Sequence, residues 1–185
     1  MKSIQIILLL LISTQLFSQT SFKPVIEQEW QEGFVNDDTN IFVIQRIDTN
    51  DFRKLLNLYP HFAIEFLQPW CPASVESMKK AKALQRDFEK KNIGLILICD
   101  TRFRDKYFKV TKDKIGIVTH SYNKYGIDFP TYIISGKESI DDYKGVLQRS
   151  WNKKVKTNYF CFLFEGQDLK YQNYSYKFYQ KFHHP

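Results

Sequence analysis

Two short apolar runs, His61–Leu67 and residues 93–99, bracket a longer segment in which Val75, Met78, Ala81, Leu84 and Phe88 recur at helical spacing. The runs are the length of strands and are apolar at nearly every position, the pattern of strands covered on both faces. Between them Lys79, Lys80, Arg86, Glu89 and Lys90 occupy the other side of an amphipathic helix, which Asn92 and Gly94 stop. Strand, long helix and strand can pack only as two parallel strands joined by a right-handed crossover. The chain is therefore read as α/β, and all-helical and all-β architectures are excluded.

The flanking sequence extends this unit. Residues 41–47 form a further strand signal, and Asn50 is read as the N-cap of a short helix with Phe52, Leu55, Leu56 and Tyr59 on one face, ended by Pro60. Residues 103–125 read as helical pieces, and Thr131–Ile134 as a strand introduced by Pro130. Ile140, Tyr143, Leu147 and Trp151 suggest another helix, interrupted in propensity by Gly145. Residues 159–164 read as a strand that turns through 165–168 into 169–171 as a hairpin. Apolar residues make up 43% of the 185 positions and aromatics 16%, enough for one core. The expected organisation is a signal peptide at 1–18, a lead-in at 19–40 without strong period, and one domain at 41–185.

The signal peptide reading rests on Lys2, a run at 4–12 broken only by Gln5, and the small residue Ser18. It places the protein outside the cytoplasm, in the periplasm or extracellular space. An uncleaved anchor would need a longer run. The first cysteine is Cys71, so no lipid-modified N-terminal Cys is available, and after cleavage no membrane-embedded segment is expected. The net charge of +7 comes from lysines scattered along the chain rather than from a basic block, which argues against a nucleic-acid partner. No glycine-rich phosphate loop occurs. His183 and His184, beside Pro185, read as a terminal tail rather than a metal site, so neither metal nor cofactor is expected.

Three cysteines in an exported chain leave at least one thiol without an internal partner. Cys161, between Phe160 and Phe162, reads as core. Cys71 is different. It closes a strand and opens a helix, and Pro72 suits the first helical position, where a missing N–H costs nothing. Unpaired amides at a helix start favour thiolate over thiol, so Cys71 is the candidate nucleophile.

The stretch Glu65-Phe66-Leu67-Gln68-Pro69-Trp70-Cys71-Pro72-Ala73-Ser74 resembles the active-site region of thioredoxins and their exported relatives. Residues 41–59 are similar to that family's N-terminal βα unit, Tyr125-Gly126-Ile127-Asp128-Phe129-Pro130-Thr131 to the approach to its cis-proline loop, and the C-terminal hairpin is a looser match. The resemblance implies a thioredoxin-like fold with a central mixed sheet flanked by helices. It implies Cys71 as nucleophile and Glu65 as a buried acid exchanging protons through water, against the alternative of a salt-bridged strand-end carboxylate. It also implies a cis Pro130 lying against Cys71, with Trp70, Pro72, Phe129, Pro130 and Thr131 forming the substrate contact.

Two departures from the family pattern matter. Ser74 stands where a second cysteine would be, so the motif is Cys-x-x-Ser and a disulfide across the helix start cannot form. Release of a mixed disulfide then falls to an outside thiol or to another cysteine of the chain. Cys99, at the end of the neighbouring strand, is read either as that resolving thiol or as a small core residue. Residues 135–158 also replace what the family normally holds as a tight hairpin. Two functions follow as expectations: thiol–disulfide exchange or mixed-disulfide formation with a client protein or small thiol, or a redox-inactive module that binds a peptide or protein.

Overall fold

The computed structural model describes residues 25–32, 41–105, 110–113, 115–127, 130–151, 155, 156, 158 and 160–181. The proposed signal peptide, Phe129, His183 and His184 lie outside the described residues. The elements in chain order are β1 (Val25–Glu29), β2 (Phe42–Ile47), α1 (Thr49–Asn57), β3 (His61–Leu67), α2 (Pro72–Lys90), β4 (Gly94–Cys99), β5 (Arg102–Asp105), β6 (Val110–Asp113), α3 (Ile115–Tyr125), β7 (Thr131–Ile134), α4 (Ile140–Trp151), β8 (Cys161–Glu165), β9 (Asp168–Asn173) and α5 (Ser175–Gln180).

The main sheet has the order β1-β2-β7-β4-β3-β8-β9. β1, β2, β7, β4 and β3 run parallel, whereas β8 is antiparallel to β3 and β9 to β8. The chain is thus a mixed α/β structure with helices on both faces. Alternation along β3 divides the core. Ala63 and Leu67 join Met78, Ala81, Leu84 and Phe88 of α2, Val118 and Tyr122 of α3, and Phe178 and Tyr179 of α5. Phe62, Ile64 and Phe66 face the other way, against Phe52, Leu55 and Leu56 of α1 and Tyr143, Val146 and Leu147 of α4. Successive strand residues point to opposite faces, so a strand apolar at nearly every position needs both helical layers.

Local chemistry sets the element ends. α1 is capped by Asp48 and not by Asn50: the Asp48 carboxylate accepts the amides of Asn50 and Asp51 at 2.8 Å each, and Asp51 returns a bond to the Asp48 amide. The shorter reach of a carboxylate one residue ahead of the helix satisfies two donors at once. α2 stops at Lys90, and Asn92 then takes φ of 54°, a left-handed turn that Asn tolerates. β4 must start with Gly94, because a Cβ there would lie 2.6 Å from the Tyr59 ring.

Three expectations need correction. Residues 25–29, read as part of an unpatterned lead-in, form the edge strand β1; an edge strand with an exposed Ile26 has no apolar alternation to announce it. Residues 103–125 are not a series of helical pieces, since the β5–β6 hairpin precedes a single helix, α3. Residues 175–180 add α5, which no periodicity foreshadowed. The long connection at 135–158 has a topological cause. β7 lies between β2 and β4, so the chain must cross β4 and β3 to reach β8, and α4 makes that crossing on the α1 face. Among the described residues no helix is long and apolar enough to cross a membrane.

The capping arrangement gives a direct test. Asp48→Ala is expected to lower stability by about 1 kcal/mol, whereas Asn50→Ala at an exposed position should change it by less than about 0.5 kcal/mol. Urea denaturation of both variants measures the difference.

Candidate active site

Beyond Leu67 the chain makes a tight loop before α2. The Cys71 amide donates to the Gln68 carbonyl at 2.8 Å, and the Ser74 amide donates to the Cys71 carbonyl at 2.9 Å. The Gln68 amide donates to Ser74 Oγ at 3.2 Å. Ser74 therefore braces the loop from within the first helical turn. Cys71 is the N-cap residue of α2, with extended backbone and Pro72 next, and its thiol takes no capping hydrogen bond. It is half-buried, and Pro72 beside it is exposed.

Cys71 and Ser74 form part of the wall of a cavity of about 300 Å³. Ser77 and Lys80 of α2 continue that wall, and Phe160, Tyr174 and Ser175 close it from the C-terminal side. Phe160 is placed there by the Phe66 amide, which donates to its carbonyl at 2.9 Å, extending the β3–β8 ladder past the end of β8.

Glu65 lies beneath, 1% exposed. Ser77 Oγ donates to its Oε1 and the Tyr179 hydroxyl to its Oε2. Burial raises the pKa of this carboxyl; hydrogen bonds from Ser77, Tyr179, Ser175 and Cys161 oppose the shift without cancelling it. Because Ser77 and Ser175 also line the cavity, they connect Glu65 to the space that Cys71 faces.

The other thiols are placed differently. Cys161 stands directly opposite Glu65 in the β3–β8 ladder, with its Sγ 3.5 Å from Ser175 Oγ, and Cys99 stands opposite Leu67. Both are 0% exposed, and burial first, then the Glu65 charge, pushes both thiols upward. All three cysteines are free. Cys99 sits in the core beneath α2, as the core reading of that residue expected.

Pro130 and Thr131 are not brought to this site. Thr131 pairs with Leu97, which pairs with Glu65, so Pro130 lies two strands from β3 and before the Glu65 row. Its carbonyl accepts the Leu97 amide at 3.2 Å. Cys71 follows the Leu67 row at the opposite end of the sheet. Three residues of strand are about 10 Å, which corrects the expectation that Pro130 packs against Cys71. The physical reason is the insertion of β7 on the far side of β4, which leaves β8 as the neighbour of β3. The Phe129–Pro130 bond, expected to be cis, lies outside the described residues. Trp70 is half-buried beside Cys71 and does not line the cavity.

The sequence reading missed Ser77, Tyr179, Ser175 and the Phe160 edge. Ser77 carried a usable signal: it lies three residues after Ser74, on the buried stripe next to Met78, where a polar residue needs a partner. Nothing in the aromatic C-terminal segment singled out Tyr179 or Ser175.

The βα unit at β2–α1, the strand–cysteine–helix unit at β3–α2 and the antiparallel hairpin beside β3 together make a mixed α/β fold in which Cys71 is the one thiol at a strand-to-helix junction. No family model and no curated protein matches the chain. Among solved structures it is similar to a thioredoxin-like protein from Aeropyrum pernix, at 15% identity and a TM-score of 0.45 over 68% of this chain and 80% of that one. A thioredoxin-family thiol:disulfide interchange protein from Chlorobium tepidum gives 10%, 0.44, 69% and 79% in the same order. StoA from Bacillus subtilis gives 11%, 0.40, 65% and 80%.

Two measurements check the site. In native protein, Ellman's reagent should titrate Cys71 alone, with Cys99 and Cys161 appearing only on unfolding; three rapid native thiols would contradict the burial. The second concerns Glu65. Its raised pKa means that the folded chain keeps a proton which the unfolded chain releases near the ordinary value of 4.5. Stability from this group is complete below that pH and falls as pH rises toward the folded-state pKa. The stability of Glu65→Gln relative to wild type should therefore increase over that interval.

Proposed function

We propose that this chain is an exported thiol–disulfide exchange protein that works through Cys71 alone. The observation that carries the reading is the contrast among its thiols: Cys71 is half-buried in a cavity wall at a helix start, while Cys99 and Cys161 are sealed in the core. In the step this supports, the Cys71 thiolate attacks one sulfur of a client disulfide. The client S–S bond breaks, a Cys71–client disulfide forms, and the departing client thiolate takes up a proton. No net oxidation occurs.

The second half of a dithiol cycle has no agent at position 74. The Ser74 hydroxyl cannot carry a disulfide, and it is engaged by the Gln68 amide. The mixed disulfide therefore persists until an outside thiol arrives. Glu65, behind the cavity wall formed by Ser77 and Ser175, is the buried acid assigned the proton exchange. Client contact falls to Trp70 and Pro72 on one side of Cys71 and to Phe160 and Tyr174 on the other. The signal-peptide pattern of residues 1–18 supports action outside the cytoplasm.

The engaged Ser74 also favours a second reading, a binding module without redox turnover that holds a peptide or protein at the same surface. Acid-quenched trapping in an extract separates the two. Under the first reading, wild-type protein recovers partners that dithiothreitol releases and Cys71→Ser does not. Equal recovery by both, insensitive to reductant, would establish the binding module. Ser74→Cys should allow a disulfide between Cys71 and the introduced thiol, with measurable insulin reduction that the wild type lacks; an active wild type would mean that Cys99 or Cys161 resolves Cys71.

A further inference from the structure

The Glu65 carboxyl is enclosed by groups from α2, α5, β8 and β4. Ser77 of α2 donates to its Oε1 and Tyr179 of α5 to its Oε2. Ser175 of α5 and Cys161 of β8, 3.5 Å apart, stand beside it, and the Cys99 thiol of β4 feels its charge. Burial first, then the Glu65 charge, pushes the Cys99, Cys161 and Tyr179 groups upward. Those three therefore stay protonated, and the carboxyl is the member of the cluster that titrates.

The two donors to Glu65 are not equivalent. Each carboxyl oxygen holds one O–H, so a proton added to the carboxyl must displace one of them. Tyr179 is 0% exposed within the core cluster, and a phenol turned away from Oε2 there would bury its hydrogen without an acceptor. Ser77 is also buried, but it stands in the cavity wall with Cys71 and Ser74. A serine hydroxyl rotates, and it accepts as well as donates. Ser77 Oγ is thus suited to accept from a protonated Oε1 while its own hydrogen turns toward the cavity. Ser175 shares that wall, but its oxygen is engaged by the Cys161 thiol.

We propose that Ser77 is the residue through which Glu65 delivers a proton to the cavity, with Tyr179 directing that proton to Oε1. This rests on the reading of Cys71 as the exchanging thiol. When Cys71 attacks a client disulfide, the departing client sulfur carries the negative charge. The proton on Oε1 moves to Ser77 Oγ, and the hydrogen that Ser77 held passes along cavity water to the departing sulfur. Glu65 loses one proton, the client thiol gains one, and Ser77 keeps a hydroxyl that now donates to the carboxylate. Solvent returns the proton by the reverse path. Cys71 and Ser77 are six positions apart, about 9 Å of helix rise or about three hydrogen-bond lengths. The cavity, of about 300 Å³, has room for about ten water molecules.

The test follows mixed-disulfide formation between Cys71 and a peptide disulfide without ionisable side chains over a range of pH. Rates are expressed per Cys71 thiolate, and the Glu65 pKa is read in parallel from its ¹³C carboxyl resonance. The wild-type rate should fall about tenfold or more as Glu65 loses its proton, and below that inflection it should be slower in D₂O. Tyr179→Phe removes a donor to the carboxylate and so raises the Glu65 pKa; its inflection should move up and keep its size. Ser77→Ala removes a donor in the same way but should lose the inflection, staying at the high-pH rate throughout, and Ser77→Thr should restore it. An inflection in Ser77→Ala that merely moves upward would mean that Ser77 only holds the carboxyl, and the proposal would fall. Loss of the inflection in Ser175→Ala but not in Ser77→Ala would overturn it too. The wild-type profile needs no variant to fold, and a rate indifferent to Glu65 titration and to D₂O would be equally decisive against it. Failure of Cys71 to form the mixed disulfide would instead overturn the exchange reading and this inference with it.

Discussion

The carboxyl of Glu65 is where the elements around the site are tied together. It sits in the middle of β3, a strand buried on both faces, and takes hydrogen bonds from Ser77 of α2 and Tyr179 of α5. Ser175 of α5 and Cys161 of β8, joined to each other at 3.5 Å, also lower its pKa against the effect of burial. A buried carboxyl without such partners would cost several kcal/mol. With them, the same group holds α2 and α5 against the sheet at the place where the cavity opens. A core of hydrocarbon alone would leave the tilt of α5 less defined, and with it the position of Tyr174 and Ser175 in the cavity wall.

The second constraint is topological. Placing β7 between β2 and β4 leaves the other edge of β3 to β8, so the C-terminal third of the chain, rather than the Pro130 loop, provides the surface opposite α2. α4 is the consequence of that order. It carries the chain over the α1 face and buries Tyr143, Val146 and Leu147 on the way. The site is therefore assembled from segments far apart in the chain, residues 66–80 and 160–175, and its geometry depends on the antiparallel β3–β8 pairing.

Within the loop itself, Ser74 has a structural use that a cysteine would serve poorly. Its hydroxyl accepts the Gln68 amide and closes the turn between strand and helix; sulfur is a weaker acceptor. The brace and the loss of an internal resolving thiol are two effects of one residue. Under the proposed exchange function, a mixed disulfide on Cys71 would then wait for a thiol from outside the loop.

The amino-acid order alone determined the elements whose periodicity was strong. His61–Leu67, Thr131–Ile134 and the helix carrying Met78, Ala81, Leu84 and Phe88 were legible because each buries a repeating set of side chains. It also singled out Cys71 and Pro72, since a helix start is a local event. Glu65 was visible by resemblance, though its partners were not. β1 was hidden because an edge strand buries little, and α5 because six residues are too few to show a period. Which strand lies beside β3, and hence which loop faces Cys71, was decided only by the tertiary structure. Strand pairing is set by contacts between distant residues and by the path of the crossovers, and a linear pattern records neither.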